Sequence, residues 1–179
     1  YQIDAFSSEA FGGNPAAVIK LPAFPPKELM QNIAMENNLS ETAYVIPRAD
    51  GHYDLRWFTP TLEIAFCGHA TIATAHALYA EYGLTPPFHF HTQVGELVVT
   101  VDNDLYVMDA PIFKARPTEI TEAMRAAFPV IIETAFWASD NLYLVLENAE
   151  DVQSISPEMA LVRPLSDHGV GITATGTPD

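Results

Sequence analysis

Glu41, His69 and Cys67 are the side chains of this 179-residue sequence best placed to move a proton. Glu41 lies in Asn38-Leu39-Ser40-Glu41-Thr42, between a helix-like stretch and a strand-like one. A carboxylate near a helix C-terminus faces the negative end of the helix dipole, and loss of water adds to that effect. Both favour holding a proton, which suits a general acid or base. The other reading is a glutamate that caps a loop in solvent. His69 lies in Phe66-Cys67-Gly68-His69-Ala70-Thr71, which leads into an alanine-rich run. Amides at a helix N-terminus attract anions, and glycine lets a ligand approach the backbone. Gly68 and the amides that follow it, Ala70 among them, therefore form a cradle for a substrate carboxylate. His69 either bonds that substrate or is satisfied by neighbouring backbone. A helix N-terminus also lowers a thiol's pKa, which would make Cys67 a nucleophile or proton carrier, although free cysteines more often act as small apolar residues.

Other chemistries fit less well. Gly12-Gly13-Asn14-Pro15 could face a phosphate, but it lacks the lysine of a P-loop and opens no helix, so it reads as a turn facing the pocket. Ser40 precedes Glu41 without the Gly-x-Ser-x-Gly elbow of a serine hydrolase. A single cysteine excludes an intramolecular disulfide and a two-thiol racemase. The six histidines have no spacing of a closed zinc site. His89 and His91 in FHFHT share one face of a strand, which leaves a surface metal pair or a solvated strand edge. The second is preferred, and no metal is expected.

These residues need elements to hold them. Residues 1–6 and 16–21 read as strands. Pro26 suits a first helical turn before KELMQNIAMENNL, where Leu29, Met30, Ile33, Ala34 and Asn37 follow helical spacing. Residues 42–47 and 53–58 have the content of paired strands around a turn at Ala49-Asp50-Gly51. GHATIATAHALYAEY is apolar nearly all round, so residues 68–82 form a buried helix, stopped by Gly83. Residues 88–92, 96–101 and 105–109 are further strands, with turns at 93–95 and 102–104. The expected picture is a curved sheet around one central helix. Residues 111–117 read as a linker, Thr118 as the cap of a helix reaching Phe128, and residues 134–138, 142–147 and 171–175 as strands.

Hydrophobic types make up 49% of the chain, enough for one sizeable core or two small ones. The net charge of -15 repels phosphate backbones and anionic leaflets, so nucleic acid is not an expected partner. No apolar run is long enough to span a bilayer and the first residues are not a signal peptide, so a cytoplasmic protein is expected.

Three segments resemble, in order and spacing, the PhzF-like phenazine-biosynthesis family: DAFSSEAFGGNPAAVI, MENNLSETAYV and RWFTPTLEIAFCGHATIATAHAL. The resemblance implies the diaminopimelate-epimerase-like fold, in which each of two similar halves wraps a sheet round a central helix. It implies that Glu41 is the catalytic glutamate, that His69 and Gly68 share its site, and that Asn14 and Pro15 lie close by. Ser40 and Ala70 complete the expected substrate-binding set. In the phenazine enzyme the glutamate carries a proton between carbons during isomerization of dihydro-3-hydroxyanthranilate, without a cofactor. The sequence departs from the family in having no Asp-Pro-x-Thr-Gly-Ser loop; Ala174-Thr175-Gly176-Thr177 lacks its Asp-Pro and its serine and reads as a strand end.

The expectation is an α+β protein with an epimerase-like domain over residues 1–110 and, over 111–179, the start of a second, apparently incomplete one. Its expected function is cofactor-independent isomerization of a small carboxylate substrate. The alternatives are a non-catalytic ligand-binding or dimerization module and an amino-acid epimerase dependent on Cys67. The fold is compatible with a homodimer.

Overall fold

Alternating side chains in residues 41–58 face two different cores, and that alternation orients the site. The computed structural model describes residues 1–9, 11–103 and 105–176. It divides into two compact units, Tyr1–Pro111 and Ile112–Asp179. The first contains β1 (Gln2–Ala5), β2 (Asn14–Lys20), α1 (Lys27–Asn37), β3 (Glu41–Pro47), β4 (Tyr53–Phe58) and β5 (Glu63–Ile64). Then come α2 (Gly68–His76), a π-helical turn (Ala77–Glu81), β6 (Phe88–Thr92), β7 (Gly95–Asp102) and β8 (Leu105–Asp109). The strands form one mixed sheet in the order β1-β2-β3-β4-β6-β7-β8, with β5 also on β4. The β2–β3 and β4–β6 pairs are parallel, and β4 meets β6 through only Tyr53↔Phe90 and Asp54↔His91. This is the α+β fold expected, a curled sheet packed on a central helix.

Successive strand residues point to opposite faces. Ala43, Val45, Leu55 and Trp57 enter the core around α2, as do Phe88 and Phe90 of β6. Tyr44 and Phe58 point the other way and pack with Met30 and Ala34 of α1. Each fully buried large side chain contributes about 1.5–3 kcal/mol, so both faces are fixed and a one-residue slip of β3 is heavily penalised. Glu41 is in phase with Ala43 and Val45, which puts it on the α2 side.

Helix α2 is buried nearly all round, as its composition implies, with Ala70, Thr71, Ala73, Thr74 and Ala75 inside. The two threonines are tolerated because their hydroxyls donate to the carbonyls of Cys67 and Ala70, at 2.6 and 2.7 Å. Helix α1 ends at Asn38, whose φ of 49° is left-handed and whose N–H bonds the Ala34 carbonyl. Pro26 sits one position before this helix rather than in its first turn, and Leu29 is 49% exposed rather than on the packed face.

Asn14 and Pro15 are not in a turn. They open β2, paired with Ala5 and Asp4 of β1. The turn ends at Gly13, where a Cβ would stand 2.3 Å from the Ala5 carbonyl oxygen.

The second unit holds β9 (Arg116–Thr118), α3 (Glu122–Ala127), β10 (Ile132–Ala138), β11 (Asn141–Leu146), α4 (Ala149–Ser154), α5 (Met159–Val162) and β12 (Gly169–Thr173). Its sheet order is β12-β11-β10-β9, over a core of Met124, Phe128, Ile132, Leu142, Leu144 and Leu146. Arg116 to Thr118 pair with β10 and so belong to the sheet instead of the expected linker. The cap of α3 is Thr121, whose hydroxyl accepts from the Met124 amide at 3.3 Å, because Thr118 is held in the strand. Helices α4 and α5 and strand β5 were not expected. Asp104 of the expected 102–104 turn and Thr177 of the 174–177 segment lie outside the described residues. Among the described residues no helix is long and apolar enough to cross a membrane.

Candidate active site

The strand phase that buries Ala43 and Val45 brings Glu41 to the N-terminal end of α2. There His69 Nε2 stands 3.0 Å from Glu41 Oε2, with the two side chains 10% and 15% exposed. The approach is misaligned for a hydrogen bond, and neither atom has a hydrogen-bond partner. A buried polar atom without a partner costs roughly 1–3 kcal/mol, a cost that their mutual attraction offsets if His69 is charged and that a water molecule or a polar ligand would also offset.

Cys67 precedes α2 in extended conformation, φ -147° and ψ 114°, and supplies no side-chain cap to the helix. Its Sγ lies 3.4 Å from His69 Nδ1. Burial first, and then the neighbouring Glu41 charge, push the thiol up to about 12, against the opposing pull of the Ala70 and His69 amides. The expected lowering by the helix N-terminus is therefore outweighed, and the thiol is protonated at neutral pH. Glu41, Cys67 and His69 each offer one donor atom within 4.8 Å of the others, so this trio could also hold a metal ion.

The remaining expected residues divide. Ser40 Oγ donates to Asn14 Oδ1 at 3.1 Å, and β2 and β3 run parallel with Ala16 opposite Glu41. Asn14, Pro15 and Ser40 thus sit on the strand ends beside Glu41. A Cβ at Gly68 would meet only Met108 Cε, at 3.6 Å, so the space over the first turn of α2 is open. Ala70 is fully buried, offers no surface to a ligand, and turns its amide towards Cys67.

Phe6 is a neighbour that sequence reasoning missed. It is 74% exposed, has φ of 68°, and sets its ring edge-on to His69 with centroids 6.5 Å apart. An aromatic residue in the left-handed region is strained, and no sequence pattern signals it. Trp57 Nε1, on the α2 side of the sheet, is also buried without a partner. A groove of about 400 Å³ runs past Phe6, Ile72, His76 and Tyr106 but does not include Glu41.

The arrangement is a buried carboxylate–imidazole pair at a helix N-terminus, on the inside of a curled sheet, and such a pair is chemically able to take and return a proton. The model of the phenazine biosynthesis-like protein family matches residues 3–178. An uncharacterized isomerase of Pseudomonas aeruginosa is 40% identical over 175 residues, covering 97% of this chain and 67% of that protein. The crystal structure of a phenazine biosynthesis protein of the PhzF family from Enterococcus faecalis is 42% identical, with a TM-score of 0.85 over all of this chain and 68% of that one. A predicted epimerase of Pseudomonas aeruginosa, 20% identical, shares the fold with a TM-score of 0.73 over 96% of this chain and 68% of that one. The chain belongs to the phenazine biosynthesis-like family and is, in general type, a PhzF-like isomerase. It spans about two thirds of the length of these relatives.

Proposed function

We propose that this chain carries the proton-transfer residues of an isomerase that moves a proton between carbons of a small carboxylate substrate, with Glu41 as its acid/base. The observation that supports this most is the pair of buried, unpartnered atoms Glu41 Oε2 and His69 Nε2, 3.0 Å apart. Glu41 as carboxylate takes a proton from a carbon next to an unsaturated or carboxylate group. The electron pair left behind delocalises into that group. Glu41, now a neutral acid, returns the proton to a second carbon of the same system. Substrate and product are isomers, so the step balances without an oxidant, a reductant or a net proton. His69 Nε2 bonds the substrate and orients it, while the Gly68 amide, at the start of α2, helps to hold its carboxylate.

Cys67 fits the alternative of a thiol-dependent epimerase poorly, since a thiol pushed up to about 12 supplies almost no thiolate at neutral pH. Dihydro-3-hydroxyanthranilate and a panel of small amino acids, followed by NMR in D2O with the longest natural protein containing this chain, provide the test. Deuterium should enter at carbon with the parent, and Glu41→Gln should slow the exchange by about 10²–10⁴-fold. Exchange that survives Glu41→Gln would overturn the assignment. No exchange with either protein would favour a ligand-binding module of the same fold.

A further inference from the structure

On the face of the first sheet opposite the Glu41 site, three histidines and a glutamate converge from β6, β7 and the residue before β4. Phe88 and Phe90 enter the core around α2, so the alternate residues His89 and His91 project from the other face. Glu96 of β7 is directly opposite His91, and His52, just before β4, reaches the same patch. The His52 and His89 rings stack with centroids 4.5 Å apart and planes 12° apart.

The donor atoms themselves point at one another. His52 Nδ1 is 3.0 Å from His91 Nε2. Glu96 Oε1 lies 3.5 Å from His52 Nδ1, 3.3 Å from His89 Nδ1 and 3.8 Å from His91 Nε2. Four ligands held tetrahedrally at zinc-bond lengths are separated by roughly 3.3 Å; His52, His89 and Glu96 each bring one donor atom within 4.8 Å of the other two, and His91 meets this trio through His52 and Glu96. The side chains are between 30% and 41% exposed, open to an ion from solvent. Asp50 forms a second donor group with His52 and His91, and Arg48 holds Asp50 and Asp54 through contacts of 3.3 and 2.8 Å.

We infer that His52, His89 and Glu96, with His91 adjoining them, form a binding site for a divalent ion of the zinc type, a metal staple that joins the start of β4 to β6 and β7. The location gives the staple a purpose, because β4 and β6 meet through only two paired positions there. The ligand set is imidazole and carboxylate, which suits zinc and its first-row neighbours over calcium or magnesium. In the absence of an ion the same atoms are satisfied by hydrogen bonds, His52 with His91 and His89 with Glu96, and a net charge of -15 raises the local concentration of any cation that could replace those protons.

The test is calorimetric titration of zinc chloride into chelator-stripped, tag-free chain. The protein carries Cys67→Ser, so that the Glu41–Cys67–His69 group has lost its thiol. One saturable site per chain is expected, with an increase in melting temperature. The double variant His52→Ala/His89→Ala should bind at least about 100-fold more weakly. Glu96→Gln, which keeps side-chain size, should also weaken binding. Cobalt(II) provides a second readout: tetrahedral absorption bands should form in the parent and not in the double variant. Absence of saturable binding, or equal affinity before and after removal of His52 and His89, would overturn the site and leave a solvated histidine face.

Discussion

Thr42, Tyr44, Arg56 and Phe58 belong to the outer face of the first sheet, while Glu41, Ala43, Val45 and Trp57 belong to the inner one. On the outer face the polar groups find partners. Tyr44 Oη donates to the Met30 carbonyl at 2.8 Å, Asn37 donates to the Thr42 hydroxyl at 3.0 Å, and Arg56 forms a two-bond fork with Glu63 at 2.7 and 3.0 Å. Lys27 adds a third contact to Glu63 at 2.8 Å. On the inner side, by contrast, Glu41 Oε2, His69 Nε2 and Trp57 Nε1 are all buried without a hydrogen-bond partner. One sheet therefore has its buried side-chain atoms without a hydrogen-bond partner on the inner side, while the polar groups named on the outer side are all paired.

The contrast can be broken by exchanging like for like. Glu41→Gln should reduce carbon–hydrogen exchange by about 10²–10⁴-fold, whereas Glu96→Gln on the outer face should leave it unchanged. An equal loss from both would mean that the inner pair has no special role. Cys67 provides the next largest effect. With its thiol pushed up to about 12 and its side chain in the core, iodoacetamide at pH 8 should label it at least about 100-fold more slowly than a free exposed thiol, by mass spectrometry. Rapid labelling of folded protein would reopen the thiol mechanism.

Two further experiments address the outer face. The Arg56 and Lys27 bonds hold the Glu63 carboxyl at about 2, below its ordinary value of 4.5. A lowered folded pKa contributes stability that is complete above pH 4.5 and is lost as the pH falls towards 2. Urea unfolding of the parent should therefore lose roughly 2 kcal/mol more than that of Glu63→Gln between pH 5 and pH 2. The smallest effect is that of Tyr44→Phe, which removes the bond to the Met30 carbonyl and should cost about 1 kcal/mol in the same measurement, without altering exchange at carbon.

Much of this arrangement was legible in residue order. The 41–58 hairpin, the buried run from Gly68 and the position of Glu41 shortly after α1, where β3 begins, all follow from local periodicity and turn chemistry. Residues that depend on partners distant in sequence were not legible. His52 joins His89 and His91 only because β4 and β6 run side by side, 37 positions apart, and Arg56 finds Glu63 only through the two-residue strand β5. Thr118 and Thr121 each look like a helix cap, and only the pairing of β9 with β10 decides between them. The placement of Asn14 and Pro15 in a turn failed for the same reason: their strand is defined by β1. Burial, which gives the Cys67 thiol its character, is likewise a property of the assembled core and not of the Cys-Gly-His order.

Gly13 carries a lesson for anyone comparing sequences of this kind. A side chain there would run into the Ala5 carbonyl, whereas at Gly12 its tightest contact would be the Ser7 hydroxyl, which can swing aside, with the Glu9 carbonyl oxygen further off at 3.3 Å. Selection should hold position 13 to glycine and let position 12 vary more freely. That constancy would record a steric limit at the β1–β2 junction, and a catalytic inventory drawn up from invariant positions would mistake Gly13 for a member of the reacting groups.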